Sequence, residues 1–148
     1  MMMTWYWYLK YLLHRRMGWK YFNKSAWMPV RGGKVLFARS AGQILFYCVG
    51  GKLEEGETDL ESLYREAWEE VRVFLILTSA AQLKTFYGPA PDGRPMRMAC
   101  YDVPYYKGEI KPSREVEEVA WFTTADKHRT THMGVLVLEW LHKKGFIA

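Results

Sequence analysis

The stretch GGKLEEGETDLESLYREAWEEVRV, residues 50–73, decides how this sequence is interpreted, because its glutamates cluster at uneven intervals. After Lys52, the basic residues within it are Arg65 and Arg72. A solvated helix face normally mixes lysines with its acids, so this clustering needs another explanation. The spacing of the acids relative to the apolar residues therefore carries the functional information.

The apolar residues of this stretch predict an amphipathic helix over residues 59–71. Thr58 is a suitable N-cap, and Glu61, three residues later, completes a capping box. At about 100° per residue, the apolar side chains fall on one face, which must pack on a sheet. They are Leu60, Leu63, Tyr64, Ala67 and Val71.

Three glutamates fall together on another face of the predicted helix: Glu66, Glu69 and Glu70. Like charges three or four residues apart destabilise a helix by about 0.2–0.5 kcal/mol per pair. A cation between them removes this repulsion, and carboxylate oxygens are the ligands that Mg²⁺ and Mn²⁺ prefer. The alternative is a solvated acidic face, and these three acids alone leave both interpretations open.

The spacing of the charged residues resembles the Nudix box. Gly51, five residues, Glu57, seven residues and then REAWEEV follow the pattern Gly, five residues, Glu, seven residues, Arg-Glu-aliphatic-any-Glu-Glu-any-Gly-aliphatic. Two positions depart from it: Arg72 replaces the motif glycine, and Val49 replaces the proline that commonly precedes the glycine pair. The flanking segments KVLFARS, ILFYCVGGK and EVEEVAWF are similar to those of MutT-like proteins, so the resemblance covers residues 26–148.

The resemblance implies an α/β/α sandwich, with a mixed sheet flanked by the Nudix helix and a C-terminal helix. The implied activity is Mg²⁺-dependent hydrolysis of a pyrophosphate bond in a nucleoside diphosphate-linked substrate, with Mn²⁺ as a substitute for Mg²⁺. MutT-like relatives favour a (deoxy)nucleoside triphosphate. The alternatives are an ADP-ribose or nucleotide-sugar pyrophosphatase and a non-catalytic regulator that binds a nucleotide.

Roles for individual residues follow from the same resemblance. The implied metal ligands are Glu66, Glu69 and Glu70. The implied catalytic residues are Glu66, Glu69, and Arg65 with Glu57, which it would brace in an ion pair. The implied substrate contacts are Gly50, Gly51 and Lys52, joined by Arg39, which lies at the end of a predicted strand and faces either phosphates or solvent. The general base is Glu66 or a residue of the later acidic turn, which also offers an extra ligand: Glu115, Glu117 and Glu118.

Arg72 is the departure with a structural consequence. The motif glycine suits a left-handed residue at the end of the helix, and an arginine there costs about 1 kcal/mol if its φ stays positive. We expect lower stability or a lengthened helix, with the predicted ligands intact.

Strands are predicted around the helix. SAWMPV and VLFARS are joined by a tight turn at Gly32-Gly33, and ILFYCV is predicted as a continuous strand buried on both faces. MRMACYDVPYY and EVAWFT predict later strands, and GVLVLEWLHKKG predicts a C-terminal helix. Arg94 and Arg97, around the loop GPAPDGRP, are candidates to meet an anion, although solvated charges are the favoured interpretation.

The composition suits one compact domain of 148 residues without structural disulfides. A net charge of +5 and a pI near 9.2 permit an anionic ligand without indicating one, and no stable nucleic-acid partner is expected. Cys48 and Cys100 lie in apolar runs, which favours reduced thiols in a cytoplasmic protein.

Residues 1–25 form an aromatic and basic extension before the predicted domain of residues 26–148. The apolar run is too short and interrupted to span a bilayer. We predict an extra helix or strand packed on the domain, or a poorly ordered extension. A segment lying on a membrane surface or a partner is the alternative. The aromatic residues also leave a homodimer open.

Overall fold

A computed structural model describes residues 2–148 of the protein. Its helices are α1 (Met2–Met17), α2 (Asp59–Val71) and α3 (His132–Lys143). The strands are β1 (Phe22–Trp27), β2 (Val30–Arg31), β3 (Lys34–Ser40), β4 (Tyr47–Cys48), β5 (Gly50–Lys52), β6 (Phe74–Leu75), β7 (Ala81–Pro89), β8 (Pro95–Asp102), β9 (Tyr106–Lys107) and β10 (Val116–Phe122). Short 3₁₀ segments lie at Leu77–Ser79 and Thr124–Arg129.

The sheets combine parallel and antiparallel pairing. One has the order β5-β1-β8-β7, in which β1 and β8 are parallel and the other pairs are antiparallel. A second has the order β10-β3-β2, with β4 also paired to β3, and all of its pairs are antiparallel. A separate pair joins β6 to β9. The predicted mixed sheet is therefore confirmed.

Strand β3 is buried on both faces and separates two apolar cores. Val35 and Phe37 pack in the core that contains α3, whereas Leu36 and Ala38 pack in the core that contains α2. Because successive side chains of a strand point to opposite faces, one four-residue run serves both layers. The helices thus cover the two sides, and the predicted α/β/α sandwich is confirmed.

The predicted strand ILFYCV is wrong in its extent. Only Tyr47–Cys48 is a strand, while Ile44 is 88% exposed and Leu45 is also exposed. A short apolar run without alternation does not reveal whether it is buried in a core or forms the wall of an open cavity. The strand buried on both faces is β3 instead.

Helix α2 has the predicted bounds and the predicted cap. The Glu61 N–H donates to the Thr58 hydroxyl at 3.2 Å, and the Thr58 N–H donates to the Glu61 carboxylate at 3.1 Å. These reciprocal bonds satisfy two of the free N–H groups at the start of the helix. Local sequence is therefore sufficient to start this helix.

Arg72 ends α2 in the left-handed conformation that its position demands. Its φ is 59° and its ψ is 37°, so the helix keeps the length expected of a glycine-ended one. Its guanidinium lies 4.6 Å from the Trp68 ring centroid, and that ring stacks on Phe74 at 4.4 Å. The cation–π contact offsets part of the backbone strain.

Replacing Arg72 with glycine and with alanine separates these two effects. The glycine removes about 1 kcal/mol of left-handed strain while losing the stack, whereas the alanine loses the stack and keeps the strain. We expect the glycine variant to be the more stable of the two by about 1 kcal/mol, or about 2–4 °C in melting temperature. The measurement is thermal unfolding followed by circular dichroism. Equal melting temperatures of the two variants would contradict the presence of backbone strain at position 72.

Helix α1 packs on the sheet, as predicted for the N-terminal segment. The Tyr8 and Tyr11 rings lie 4.8 and 5.5 Å from the Tyr87 ring in β7, and Tyr11 is buried. No helix within residues 2–148 combines the length and apolar character needed to cross a bilayer. The domain boundary at residue 26, the cytoplasmic location and the homodimer stay predictions.

Both cysteines are free and buried, as predicted. Cys48 lies in β4 and Cys100 in β8. Burial raises the pKa of the Cys48 thiol to about 12, so this thiol stays protonated and unreactive at neutral pH.

Candidate functional site

Three glutamates bring carboxylate oxygens within 4.8 Å of one another: Glu66, Glu70 and Glu115. Glu66 and Glu70 lie one turn apart on α2, and Glu115 immediately precedes β10. The loop that carries Glu115 is bonded to the end of α2, because the Lys111 and Ser113 N–H groups donate to the carbonyls of Val71 and Glu70. These bonds at the helix C-terminus place an acid from a distant part of the sequence beside the two helical ones.

Glu70 is almost fully buried, at 2% exposure. Its Oε1 accepts the Gly50 N–H at 2.7 Å and its Oε2 accepts the Tyr47 hydroxyl at 3.0 Å. Burial, with a contribution from the charge of Glu66, nonetheless raises the pKa of Glu70 to about 8. A carboxylate in this position is ionised at neutral pH only when a cation compensates its charge. The three-oxygen donor set therefore fits a hard divalent cation.

The glycine pair lets two backbone segments approach closely. Gly50 has φ of 140°, and a Cβ there would overlap the Ser25 carbonyl oxygen and lie 2.8 Å from the Ala26 Cα. A Cβ at Gly51 would overlap the Glu66 carboxylate. Any side chain at either position would therefore displace β1 or Glu66.

Arg65 holds the loop before α2 against the helix. Its guanidinium donates to both carboxylate oxygens of Glu57, at 2.8 and 2.9 Å, and also to Glu66 at 2.8 Å and the Lys52 carbonyl at 3.2 Å. The hydrogen bond from Arg65 lowers the pKa of Glu57 to about 2. The predicted ion pair between Arg65 and Glu57 is thus present in the structure.

Glu69 lies outside the group of three. Its oxygens are 3.5 Å from Arg65 and 3.6 Å from Arg114, the residue before Glu115. Arg114 has a positive φ of 54°, an unfavourable conformation for an arginine. In this arrangement Glu69 contacts the two arginines on either side of the acidic group, and its assignment as a metal ligand stays a prediction.

Arg39, Glu117 and Glu118 form a separate ion-pair cluster across β3 and β10. The Arg39 guanidinium lies 3.2 Å from Glu117 and 3.0 Å from Glu118, and it also donates to the Gln43 carbonyl. Among the acids of the later turn, the structure therefore places Glu115 with Glu66 and Glu70, and places the other two against Arg39.

A cleft of about 1000 Å³ adjoins the acidic group. Tyr47 and Gly51, which contact Glu70 and Glu66, lie in its wall. Three cations also line it: Lys24, Lys52 and Arg94. The remaining wall includes apolar residues, among them Ile44, Leu45, Pro89, Pro91 and Met133. The cleft thus combines a cationic part and an apolar part beside the carboxylates.

Phe22 fixes two of these cations. The Lys52 ammonium lies 4.0 Å from the Phe22 ring centroid, and the Arg94 guanidinium lies 4.2 Å from it. Asp92 also holds Arg94, at 2.6 Å. Arg94 therefore lies in the cleft wall, which leaves open the predicted alternative that it meets an anion. Among the residues described, Arg39 is not part of the cleft wall.

Sequence reasoning missed Lys24, Phe22 and Tyr47. Lys24 pairs directly with Lys52 across β1 and β5. A strand prediction beginning at Phe22 would have placed Lys24 in the sheet, whereas its register opposite Lys52 depends on the pairing of β1 with β5. Arg97, interpreted as solvated, instead donates to Asp59 at the start of α2 and to Asn23.

The fold is a mixed-sheet sandwich that places the glutamates of a loop–helix segment beside a cleft lined by cations. A family model described as NUDIX domain matches residues 22–135. The chain belongs to the Nudix family, and the prediction of a Nudix, MutT-like chain is confirmed at this level.

Solved structures support the fold. The chain is similar to the MutT NUDIX hydrolase from Burkholderia pseudomallei, with 21% identity, a TM-score of 0.66 and coverage of 81% of this chain and 97% of that one. It is also similar to the MutT protein from Methanosarcina mazei Go1, with 16% identity, a TM-score of 0.68 and coverage of 84% and 95%. At these identities the likeness shows the fold alone.

A curated relative matches a shorter part of the chain. It is the RNA pyrophosphohydrolase of Psychrobacter sp. (strain PRwf-1), which is 43% identical over 42 residues. That match spans 28% of this chain and 24% of the relative's length.

Proposed function

We propose that the protein is a divalent-cation-dependent hydrolase of a pyrophosphate bond in a nucleoside diphosphate-linked substrate, most readily a (deoxy)nucleoside triphosphate. The observation that carries the proposal is the meeting of Glu66, Glu70 and Glu115 beside a cleft lined by cations. Carboxylates beside cations suit a phosphorylated ligand that arrives with its own metal.

Glu66, Glu70 and Glu115 would hold Mg²⁺, with Mn²⁺ as a substitute. A bound cation would screen the phosphate charges and make a bound water more acidic. The protein's own contribution is to hold the carboxylates in place. The Gly50 N–H and the Tyr47 hydroxyl orient Glu70, and Arg65 orients Glu66.

The cations of the cleft bind the rest of the polyphosphate in this proposal. Lys24, Lys52 and Arg94 offer ammonium and guanidinium donors, and the ring of Phe22 holds two of them in position. Such donors reduce the repulsion between a polyphosphate and the acidic group. The apolar wall is then available to the base and the sugar.

The general base is proposed among the clustered acids. Glu66 is a candidate because it lies in the group of three acids, and burial raises the pKa of its carboxyl in the metal-free protein. Glu117 and Glu118 are less suitable, because they pair with Arg39 and lie outside the group of Glu66, Glu70 and Glu115. Glu115 remains the second candidate.

The 5′-triphosphate end of an RNA is a second candidate substrate. The observation that favours it is the 43% identity over 42 residues with an RNA pyrophosphohydrolase. ADP-ribose and nucleotide sugars contain the same pyrophosphate bond, so they are tested beside it.

The test is phosphate and pyrophosphate release over a panel of substrates, with and without Mg²⁺. The panel contains the (deoxy)nucleoside triphosphates, ADP-ribose, a nucleotide sugar and a triphosphorylated RNA oligonucleotide. We expect Mg²⁺-dependent turnover, and we expect Glu66→Gln to lower kcat/KM by at least about 100-fold, as for loss of other charge-stabilising groups.

Glu139→Gln is the matched control, because Glu139 is an exposed acid of α3 that pairs only loosely with Lys127, at 3.5 Å. Its activity should equal that of the parent protein. Metal-independent turnover, or full activity in Glu66→Gln, would contradict the mechanism. Tight binding of a nucleotide without turnover of any substrate would establish a non-catalytic regulator instead.

A further inference from the structure

The outer face of α1 is apolar and turned to solvent. Trp5 is 64% exposed and Leu9 is 57% exposed, and Leu12 and Leu13 are exposed as well. At about 100° per residue these four side chains lie within an arc of about 100° on one side of the helix. A continuous apolar stripe of this kind normally marks a contact surface.

The opposite face of α1 already has its partner. Tyr11 is buried and contacts Tyr21 at 5.2 Å and Tyr87 at 5.5 Å between ring centroids. The helix is therefore fixed on the sheet by one apolar face while it presents a second one. Packing against the core explains the apolar residues of the first face but not those of the second.

The charged residues of α1 itself are all of one sign. The first acidic residue of the sequence is Glu54, so α1 and the segment after it carry basic residues alone. Those close to the stripe are Lys10, Arg15, Arg16 and Lys20. The Lys10 ammonium lies 4.9 Å from the Trp7 ring centroid, and Trp19, beyond the end of α1, is also exposed.

We infer that α1 docks the protein on an anionic lipid surface. Its leucines and Trp5 enter the boundary between headgroups and acyl chains, and Lys10, Arg15 and Arg16 contact the phosphate and carboxylate headgroups. Tryptophan is the residue that prefers this boundary, and a long basic side chain reaches the headgroups while its stem stays apolar.

The charge and the length of α1 favour a lipid surface over a second copy of the chain and over insertion across a bilayer. A second copy docked through the same stripe would bring Arg15 and Arg16 near an equally basic helix, with no carboxylate on α1 to pair with them. A helix of 16 residues is about 24 Å long, short of the roughly 30 Å of a hydrocarbon core, so α1 lies along the surface.

Vesicle cosedimentation tests the inference with the full chain. Large unilamellar vesicles of phosphatidylcholine alone are compared with vesicles that also contain phosphatidylserine. We expect at least about tenfold stronger binding to the anionic vesicles, and we expect added salt to weaken it.

Two double variants separate the apolar contribution to vesicle binding from the electrostatic contribution. Leu9→Glu with Leu13→Glu should lower the partition coefficient by at least about tenfold, because it removes the apolar contact and adds repulsion. Arg15→Gln with Arg16→Gln should lower binding to the anionic vesicles by about tenfold or more and reduce its salt dependence. All four positions are at the surface, so melting temperature and nucleotide hydrolysis without vesicles should not change.

Tyr105→Glu is the matched control, since Tyr105 is 69% exposed and lies between β8 and β9, outside α1. It should bind vesicles as the parent protein does. Equal binding to neutral vesicles, no binding to anionic ones, or an equal loss in Tyr105→Glu overturns the inference. A dimer in sedimentation velocity that Leu9→Glu with Leu13→Glu dissociates overturns it in favour of a second copy.

Discussion

Glu70→Gln is expected to abolish hydrolysis and, in the absence of metal, to stabilise the protein at alkaline pH. Both effects have one cause. Glu70 is buried among groups that orient a carboxylate without neutralising it, as the raised pKa of about 8 shows. Under the proposed function, the buried carboxylate lowers the stability of the metal-free protein and provides an anionic ligand for a divalent cation.

The sign of the pH dependence follows from the direction of the shift. Between the ordinary glutamate pKa of 4.5 and the folded pKa of about 8, the unfolded chain has released this proton and the folded chain retains it. The free energy of unfolding of the metal-free protein therefore falls as the pH rises through this window, and the contribution is fully present below it. The glutamine of the variant would be neutral at every pH, so this part of the dependence disappears.

Glutamine also preserves the local hydrogen bonds. Its Oε1 accepts the Gly50 N–H, and its Nε2 donates to the Tyr47 oxygen, which lies 2.9 Å from the Ser40 hydroxyl. We expect the variant to exceed the parent protein by about 1–3 kcal/mol in free energy of unfolding at pH 8 to 9 in chelator. At pH 4 the two should be alike.

Urea unfolding at pH 4, 6 and 8.5, with chelator and with Mg²⁺, measures the free energy of unfolding of the parent protein and of Glu70→Gln. Mg²⁺ should raise the stability of the parent protein and leave Glu70→Gln unchanged, because a ligand stabilises only the state that binds it. Glu139→Gln is again the control, with stability that follows the parent protein at each pH. A variant that is less stable than the parent in chelator at pH 8.5 would contradict the assigned cause.

Gly50→Ala is expected to lower stability by about 3 kcal/mol or more, the range of a forced backbone overlap. A Cβ at Gly50 would overlap the Ser25 carbonyl oxygen, which belongs to β1, and neither backbone can yield without separating β1 from β5. The same movement would withdraw the Gly50 N–H from Glu70. Activity should fall together with stability.

Gly56→Ala provides the comparison for Gly50→Ala. Gly56 also has a positive φ, of 81°, yet no atom lies within 4 Å of a Cβ placed there. Gly56→Ala should lower the free energy of unfolding by about 1 kcal/mol, from backbone strain alone. Urea midpoints that fall equally in the two variants would show that φ, and not the contact with Ser25, sets the requirement for glycine.

Features with local causes were predictable from the sequence. The bounds of α2, its capping box and the ion pair of Arg65 with Glu57 depend on residues within one or two turns of one another. The turn at Gly32-Gly33 was predictable for the same reason, and both glycines have positive φ. The apolar run ILFYCV misled because it carries no alternation, and part of it lines the cleft.

The sequence by itself determined the helix, its cap and the face on which Glu66 and Glu70 are presented, because helical geometry fixes the relation of residues three or four apart. Only the tertiary structure decided which acid joins them. Glu115 reaches the group because the loop before β10 bonds to the last carbonyls of α2, and Glu69 is turned between Arg65 and Arg114. The cations of the cleft likewise come from β1, β5 and the loop before β8. Contacts between such distant segments depend on strand register and packing, which no local spacing encodes.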